Sequence, residues 1–251
     1  MVEKLVDSPL VSFVLPAFNE GEVIERALER LDSVVNGDGL HYEVVVVDDG
    51  SVDDTRLKAL RYAGKNSHVF VVGYDSNAGK GFAVRTGFFK CKGEYVVFID
   101  SDLDVDVDVV QRYVEALKDV HIAIGSKWHP DSVVNATFAR KFSSRVFNAL
   151  VRLLIGLQIC DTQCGVKAVR REVFLEIFRR LSVKRYAFDV ELLVLAKLFG
   201  LRVVELPVRL KLNSNFSLKN AWHMLLDLLG IAYRLRVKKW YQRGIAKDFG
   251  F

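Results

Sequence analysis

Five short runs, almost wholly apolar and rich in β-branched residues, dominate the first half of the chain: V-S-F-V-L at 11–15, Y-E-V-V-V-V at 42–47, V-F-V-V-G-Y at 69–74, E-Y-V-V-F-I at 94–99 and I-A-I-G at 122–125. A strand that packs on one face alternates apolar and polar residues. Continuous hydrophobicity instead predicts strands covered on both faces, as in a mainly parallel sheet. Between these runs, residues 22–33, 53–62, 81–89 and 108–117 space their apolar side chains for helices. Ser51 followed by Asp54 predicts a capping box at the start of the second. This alternation predicts an α/β fold, Rossmann-like, with a mainly parallel sheet between layers of helices.

After residue 125 the rhythm changes. A basic amphipathic stretch covers 138–158, a hairpin-like segment 165–169, helices 172–180 and 189–199, and a strand 201–206 closed by Pro207. A basic helix with an apolar face runs from 218 to about 241. No Pro/Gly/Ser-rich linker intervenes. The expected organisation is one domain over 1–212, with a nucleotide half (1–125) and an acceptor half (126–212), followed by a C-terminal amphipathic helical tail over 213–251. With 51% hydrophobic residues in 251, the chain can bury a core without disulfides. Its three cysteines, Cys91, Cys160 and Cys164, fit a reducing compartment and packing roles. No apolar segment of signal-peptide kind opens the sequence, and no run approaches the ~20 residues of a membrane span. The net charge of +5 calls for an anionic partner.

Ligands of open α/β sheets bind beyond the carboxyl ends of the strands. There the sequence places Pro16-Ala17-Phe18-Asn19-Glu20, then Asp48-Asp49-Gly50-Ser51, then Asp100-Ser101-Asp102-Leu103-Asp104. Clustered carboxylates repel one another and raise each other's pKa. A divalent cation relieves that repulsion, and hard oxygen ligands suit Mg²⁺ or Mn²⁺. The alternative is acids capping a helix N-terminus, which suffices for Asp106 and Asp108; for Asp102 a metal role is preferred. The tract N-A-G-K-G-F-A-V-R at 77–85 opens a helix with glycines and cations, a phosphate-facing pattern that is neither a P-loop nor G-x-G-x-x-G.

Taken in order, P-A-F-N-E, D-D-G-S-x-D-D-T, N-x-G-K-G-x-A-x-R and D-S-D resemble the family 2 glycosyltransferases of the GT-A fold. G-S-K at 125–127, D-T-Q-C-G-V-K at 161–167 and F-D-V-E-L-L at 188–193 narrow the resemblance to dolichyl-phosphate glucosyltransferases and dolichyl-phosphate mannose synthases. The resemblance covers about 11–239 and implies a metal-dependent, inverting hexosyltransferase that moves a sugar from a nucleotide-sugar, UDP-glucose favoured, to a polyprenyl (dolichyl) phosphate. GDP-mannose as donor, or a soluble sugar or polysaccharide as acceptor, is the alternative. It further implies that Pro16, Phe18, Glu20, Val47 and Asp49 hold base and ribose, that Asp100 and Ser101 line the sugar nucleotide, and that Asp102 binds the metal. Lys80, in the Gly-rich tract, joins the nucleotide-sugar set. Asp104 stands where the synthases tend to carry a glutamine ligand and is the second metal candidate beside Asp102, and Lys127, in place of an arginine, is a catalytic candidate that positions the acceptor phosphate. Arg140 and Ser144 keep the spacing that grips the acceptor phosphate. Asp161, Gln163, Asp189 and Glu191 are candidates for the acceptor side. In the segment after Pro207, Ser217 and Lys219 are the candidates for a loop closing over the diphosphate.

Two stretches mix basic and apolar groups at helical spacing: 140–155, and Trp222, Leu225, Leu226, Leu229, Tyr233, Arg234, Arg236, Lys238, Lys239 and Trp240. Such helices lie in the plane of anionic membranes. They predict a peripheral protein on the cytoplasmic membrane face. No nucleic-acid-binding motif accompanies the positive charge.

Overall fold

The computed structural model describes residues 10–37, 39–102, 104–211 and 218–243. Strands β1 (Val11–Ala17), β2 (Tyr42–Asp49), β3 (Val69–Tyr74), β4 (Tyr95–Ile99), β5 (Ile122–Ser126), β7 (Val166–Arg170) and β8 (Val203–Pro207) form one sheet, in the order β3-β2-β1-β4-β7-β5-β8. The remaining pair, β6 (Val133–Asn135) and β9 (Arg209–Lys211), forms a two-stranded parallel ribbon. Helices α1 (Ile24–Gly37), α2 (Thr55–Ala63), α3 (Lys80–Lys90), α4 (Val110–Ala116), α5 (Phe138–Ile155), α6 (Arg171–Arg180), α7 (Phe188–Leu198) and α8 (Leu218–Ala232) complete the chain. The mixed α/β architecture, with a mostly parallel sheet between helical layers and helices at the C-terminus, is the one the apolar runs predict.

Both faces of the sheet are dry, which is why its strands read as unbroken apolar runs. One face packs Val14, Val45, Val47, Phe98 and Val169 against α3, α6 and α7. The other packs Phe13, Leu15, Val44, Val46 and Val97 against α1 and α4. On the first face Phe88 and Phe178 lie parallel with ring centroids 3.8 Å apart, a close contact between α3 and α6 at the centre of this core.

Three local expectations are corrected. Residues 166–170 are a single strand, not a hairpin, and it runs antiparallel between β4 and β5. An apolar run carries no mark of its direction. Helix α2 begins at Thr55, with Asp54 at its N-cap and no side-chain cap bond from that residue. Ser51 is not the cap, because its Oγ accepts from the Asn19 N–H (3.0 Å). Asp53 does the local work, taking the N–H groups of Thr55 and Gly21 on its two oxygens, both at 3.0 Å. The tail is not one helix to residue 241. It passes from α8 into a π-turn over Tyr233–Val237 and a short 3₁₀ turn over Tyr241–Arg243.

Candidate active site

Strand register brings the acids together. β1 pairs β2 from Val11↔Tyr42 to Ala17↔Asp48, and β4 from Val11↔Tyr95 to Val14↔Phe98. Pro16, Asp48 and Asp100 therefore leave the sheet at nearly one level. They open a cleft of about 500 Å³ lined by Pro16, Phe18, Glu20, Asp49, Lys80, Asp100, Ser101 and Asp102 on one side and by Arg185, Tyr186, Asn220 and His223 on the other.

The first wall is held by internal bonds. Asp49 accepts from Tyr74 Oη (2.5 Å), Asn77 Nδ2 (2.9 Å), the Ala78 N–H (2.8 Å) and the Gly79 N–H (3.0 Å). Its carboxylate thus fixes the entry to α3 and has little capacity left for a ribose. Ser101 Oγ donates to the Pro16 carbonyl (2.9 Å), tying the β4 loop to β1. Phe18 is 42% exposed at the rim, where a flat apolar ring can meet a base. Gly79 has φ of 103°, and a side chain there would strike the Lys184 carbonyl; only glycine lets the α3 entry pack this tightly.

Crowded, partly buried carboxylates dominate the electrostatics of this wall. Glu20 is pushed up from 4.5 to about 7, first by burial and then by Asp102, Asp100, Asp53 and Asp104. Asp102 is pushed up to about 6 by burial and by Asp100. Lys80 sits 2.5 Å from Asp100. Burial works against its charge, but Asp100 and Asp189 outweigh burial and raise its pKa. One lysine does not neutralise the surplus acid. No group of three or more His, Cys, Asp or Glu side chains forms a ready cage among the described residues. That fits a cation held by one or two carboxylates and completed by phosphate oxygens, as Mg²⁺ sites commonly are.

The remaining predicted residues fall elsewhere. Val47 is fully buried in the core, with no access to the cleft, because its place in β2 turns it toward α3. Asp104 is buried outside the cleft lining, and its N–H donates to Asp102 Oδ1 (3.0 Å), so it shapes the Asp102 loop. Lys127 Nζ lies 2.8 Å from the fully buried Asp161, which also accepts the Lys127 N–H (2.9 Å) and the Gln163 N–H (3.2 Å). The D-T-Q-C-G loop thus holds Lys127. Arg145 of α5 covers the Trp128 ring at 4.8 Å, so the residue after Lys127 contacts the helix that carries Arg140 and Ser144. None of these lines the cleft. Asp189 pairs with Lys167 (2.7 Å) beside a small closed cavity under Lys80 and Asp100. Glu191 is wholly buried and lines neither space; its carboxylate is taken up by the residue 182–183 backbone and by Tyr241. Ser217 and the side chain of Lys219 lie outside the described residues. Gly165 does touch the site, for a Cβ there would collide with the Asp100 carboxylate.

Sequence reading missed the second wall. A signal existed: Asn220, His223 and Asp227 recur at i, i+3 and i+7, a polar stripe on an otherwise apolar helix. The helix carrying it faces two ways. Trp222, Leu226 and Leu229 of α8 are exposed, and the apolar row continues through Tyr233, Val237 and Trp240. Helix α5, packed beside α8, exposes Phe138 (82%), Phe142, Val146 and Leu153 (72%) at the same kind of spacing. Leu150 and Leu154, expected on that outer face, instead pack on the core. Arg234, expected in the outer row of the tail, turns inward to Tyr241. No helix among the described residues is long and apolar enough to cross a membrane.

The family model for glycosyl transferase family 2 matches residues 12–178. Dolichyl-phosphate β-glucosyltransferases of mouse and human are each 34% identical over 255 residues, covering 93% of this chain and 79% of theirs. Glycosyltransferase AglD of Haloferax volcanii is 32% identical over 238 residues; the match takes in 92% of this chain but only 37% of that longer protein. Among solved structures, glucosyl-3-phosphoglycerate synthase of Mycobacterium tuberculosis in complex with UDP superposes with a TM-score of 0.67 at 22% identity, over 90% of this chain and 79% of that one. The same enzyme with Mn²⁺, UDP-glucose and phosphoglyceric acid gives 0.66 at 21%. These structures share the fold. By the family match and by the relatives' identity over nearly its whole length, the chain belongs to glycosyl transferase family 2 and is a glycosyltransferase.

Proposed function

We propose that the chain transfers glucose from UDP-glucose to dolichyl (polyprenyl) phosphate at a membrane surface, on the cytoplasmic face, with inversion at the sugar carbon. The observation that carries this reading is the double face of α8. One helix lines the cleft with Asn220 and His223 and presents Trp222, Leu226 and Leu229 to the outside. A site so built receives a water-soluble donor and a lipid-borne acceptor side by side. Arg140, Lys141, Arg145, Arg152, Arg236, Lys238 and Lys239 flank the two apolar faces, which suits an anionic lipid surface. The activity of these relatives, dolichyl-phosphate β-glucosyltransferases, supports the acceptor.

In the proposed reaction an oxygen of the acceptor phosphate attacks the anomeric carbon, and the bond from that carbon to the diphosphate breaks, leaving its electron pair on the nucleoside diphosphate. The acceptor is already an anion, so no side chain need remove a proton; positioning suffices. Asp102, with Glu20 near it, would hold a divalent cation on the diphosphate, and the cation supplies charge neutralisation to the leaving group. Lys80 keeps Asp100 oriented toward the sugar. Lys127, anchored by Asp161, stands with Arg140 and Ser144 on the acceptor side.

The test is a donor and acceptor screen with the full chain: UDP-glucose and GDP-mannose against polyprenyl phosphate or a soluble sugar, with and without Mn²⁺. Transfer from UDP-glucose to the lipid phosphate, cation-dependent and giving a β-linkage, is expected. Transfer to the soluble sugar alone would overturn the acceptor, preference for GDP-mannose the donor, and an α-linked product the inversion.

A further inference from the structure

Glu191 has no place in the reaction just described, yet it is among the most completely bonded side chains of the protein. Its Oε2 accepts the N–H groups of Ser182 (2.8 Å) and Val183 (2.7 Å). Its Oε1 accepts Ser182 Oγ and Tyr241 Oη, both at 2.6 Å. Arg234 adds a guanidinium nitrogen at 3.5 Å and donates through Nε to Tyr241 Oη at 2.9 Å. A buried carboxylate needs such donors to be tolerated at all. What matters is where they come from.

Ser182 and Val183 begin the segment whose Arg185 and Tyr186 form part of the second wall of the cleft. The same segment is pressed on α3. The Lys184 carbonyl accepts the Phe82 N–H (3.0 Å), and Gly79 and Gly81 are closed against the carbonyls of Lys184 and Val183. Between those two glycines stands Lys80, the partner of Asp100. On the other side, Arg234 lies in the π-turn and Tyr241 just beyond it, on the stretch that exposes Tyr233, Val237 and Trp240. A π-turn is an uncommon conformation often found at functional sites, and Lys239 follows it with a φ of 49°. One carboxylate therefore joins the outward apolar segment of the tail to the cleft wall and, through it, to the entry of α3.

We propose that Glu191, Arg234 and Tyr241 are positioning residues that couple the seating of the tail on an anionic lipid surface to the geometry of the donor cleft, so that lipid tightens the hold on the nucleotide sugar. This rests on the membrane reading above and adds a regulation to it: lipid engagement and donor binding become reciprocal. Donor is then bound best where acceptor is at hand.

The experiment uses the full chain and vesicles of phosphatidylcholine with phosphatidylglycerol. Co-sedimentation reports vesicle binding, and calorimetry reports the affinity for UDP-glucose with Mn²⁺, with and without vesicles. Vesicles are expected to tighten UDP-glucose by at least about fivefold, the lower end of ordinary coupling between sites. Tyr241→Phe, which keeps the ring and removes the hydroxyl, is expected to sediment as well as the wild type, bind UDP-glucose equally without lipid, and lose the gain. A purely structural role would weaken binding equally in both conditions. A wild type that sediments with no change in affinity, or a Tyr241→Phe variant that keeps the full gain, overturns the coupling. A wild type that does not sediment overturns the membrane reading itself, and the coupling with it.

Discussion

The two walls of the cleft are built on different principles. The first hangs from strand ends, and its polar groups are fixed from within: Asp49 by four donors, Ser101 by the Pro16 carbonyl, the Glu20 N–H by Thr55 Oγ1 (2.8 Å). It holds its geometry before any ligand arrives. The second wall hangs from the 182–188 segment and from α8, whose outer side is exposed and apolar. Under the proposed coupling, its geometry would respond to what covers that face. Rigid strand ends suit a leaving group whose charge must be met in one place. A wall facing both cleft and surface suits an acceptor brought by a membrane.

The largest expected effect breaks the first wall. Asp102→Asn keeps the side-chain shape and removes the charge that would hold the cation. Turnover should fall roughly 10²–10³-fold, as for loss of a single preorganised electrostatic group. Titration of Mn²⁺ into the variant, followed by calorimetry, should show the matching loss of affinity. Unchanged turnover and cation dependence would remove the first wall from the chemistry.

Next comes a change of position without a change of charge. Gly165→Ala puts a methyl group where the Asp100 carboxylate lies, and Asp100 must move together with Lys80. A displacement near 1 Å at a reacting group can cost about 10²-fold in rate. kcat should drop while the melting temperature stays near the wild-type value. If the melting temperature falls in step with kcat, the glycine serves packing and not the site.

The second wall is sharpened by its outer face. Phe142→Glu with Leu153→Glu alters two side chains that touch neither cleft nor core. Vesicle binding should weaken at least roughly tenfold, equivalent to about 1.4 kcal/mol, while transfer to a short, water-soluble polyprenyl phosphate stays unchanged. Equal loss in both assays would mean that α5 serves the site directly.

These residues also show how far the sequence could be read. The strands were legible because a sheet dry on both faces demands unbroken apolar runs, and the acids were legible because they follow those runs directly. Direction was not: β7 looks like its parallel neighbours, since a run of V-K-A-V-R bears no arrow. Nor was the inward use of polar groups. Glu191 in F-D-V-E-L-L reads as a functional acid until its donors are seen to come from residues 182, 183 and 241, far apart in sequence. Val47 fails similarly: in a strand buried on both sides, position alone does not say which face is near the ligand. Arg185 and His223 went unmarked because a cleft wall assembled from a loop and a remote helix leaves no contiguous motif.

The smallest effect concerns protons on the first wall. Glu20 rises from 4.5 to about 7 and Asp102 to about 6, so between about pH 4 and 7 the folded protein binds protons that the unfolded chain has released. Stability must then fall as pH rises through this window, the opposite of a paired carboxylate. A divalent cation binds the ionised form and competes with those protons, so its affinity should increase over the same range. Melting curves without cation should drift downward from pH 5 to pH 8, and added Mn²⁺ should raise the melting temperature more at pH 8 than at pH 5. Glu20→Gln should flatten the drift, because it removes the group with the higher pKa and relieves Asp102 of a neighbour. A melting temperature that does not fall over this range, or an equal Mn²⁺ increment at both ends, would mean that the acids of the first wall are already compensated by Lys80 and need no cation.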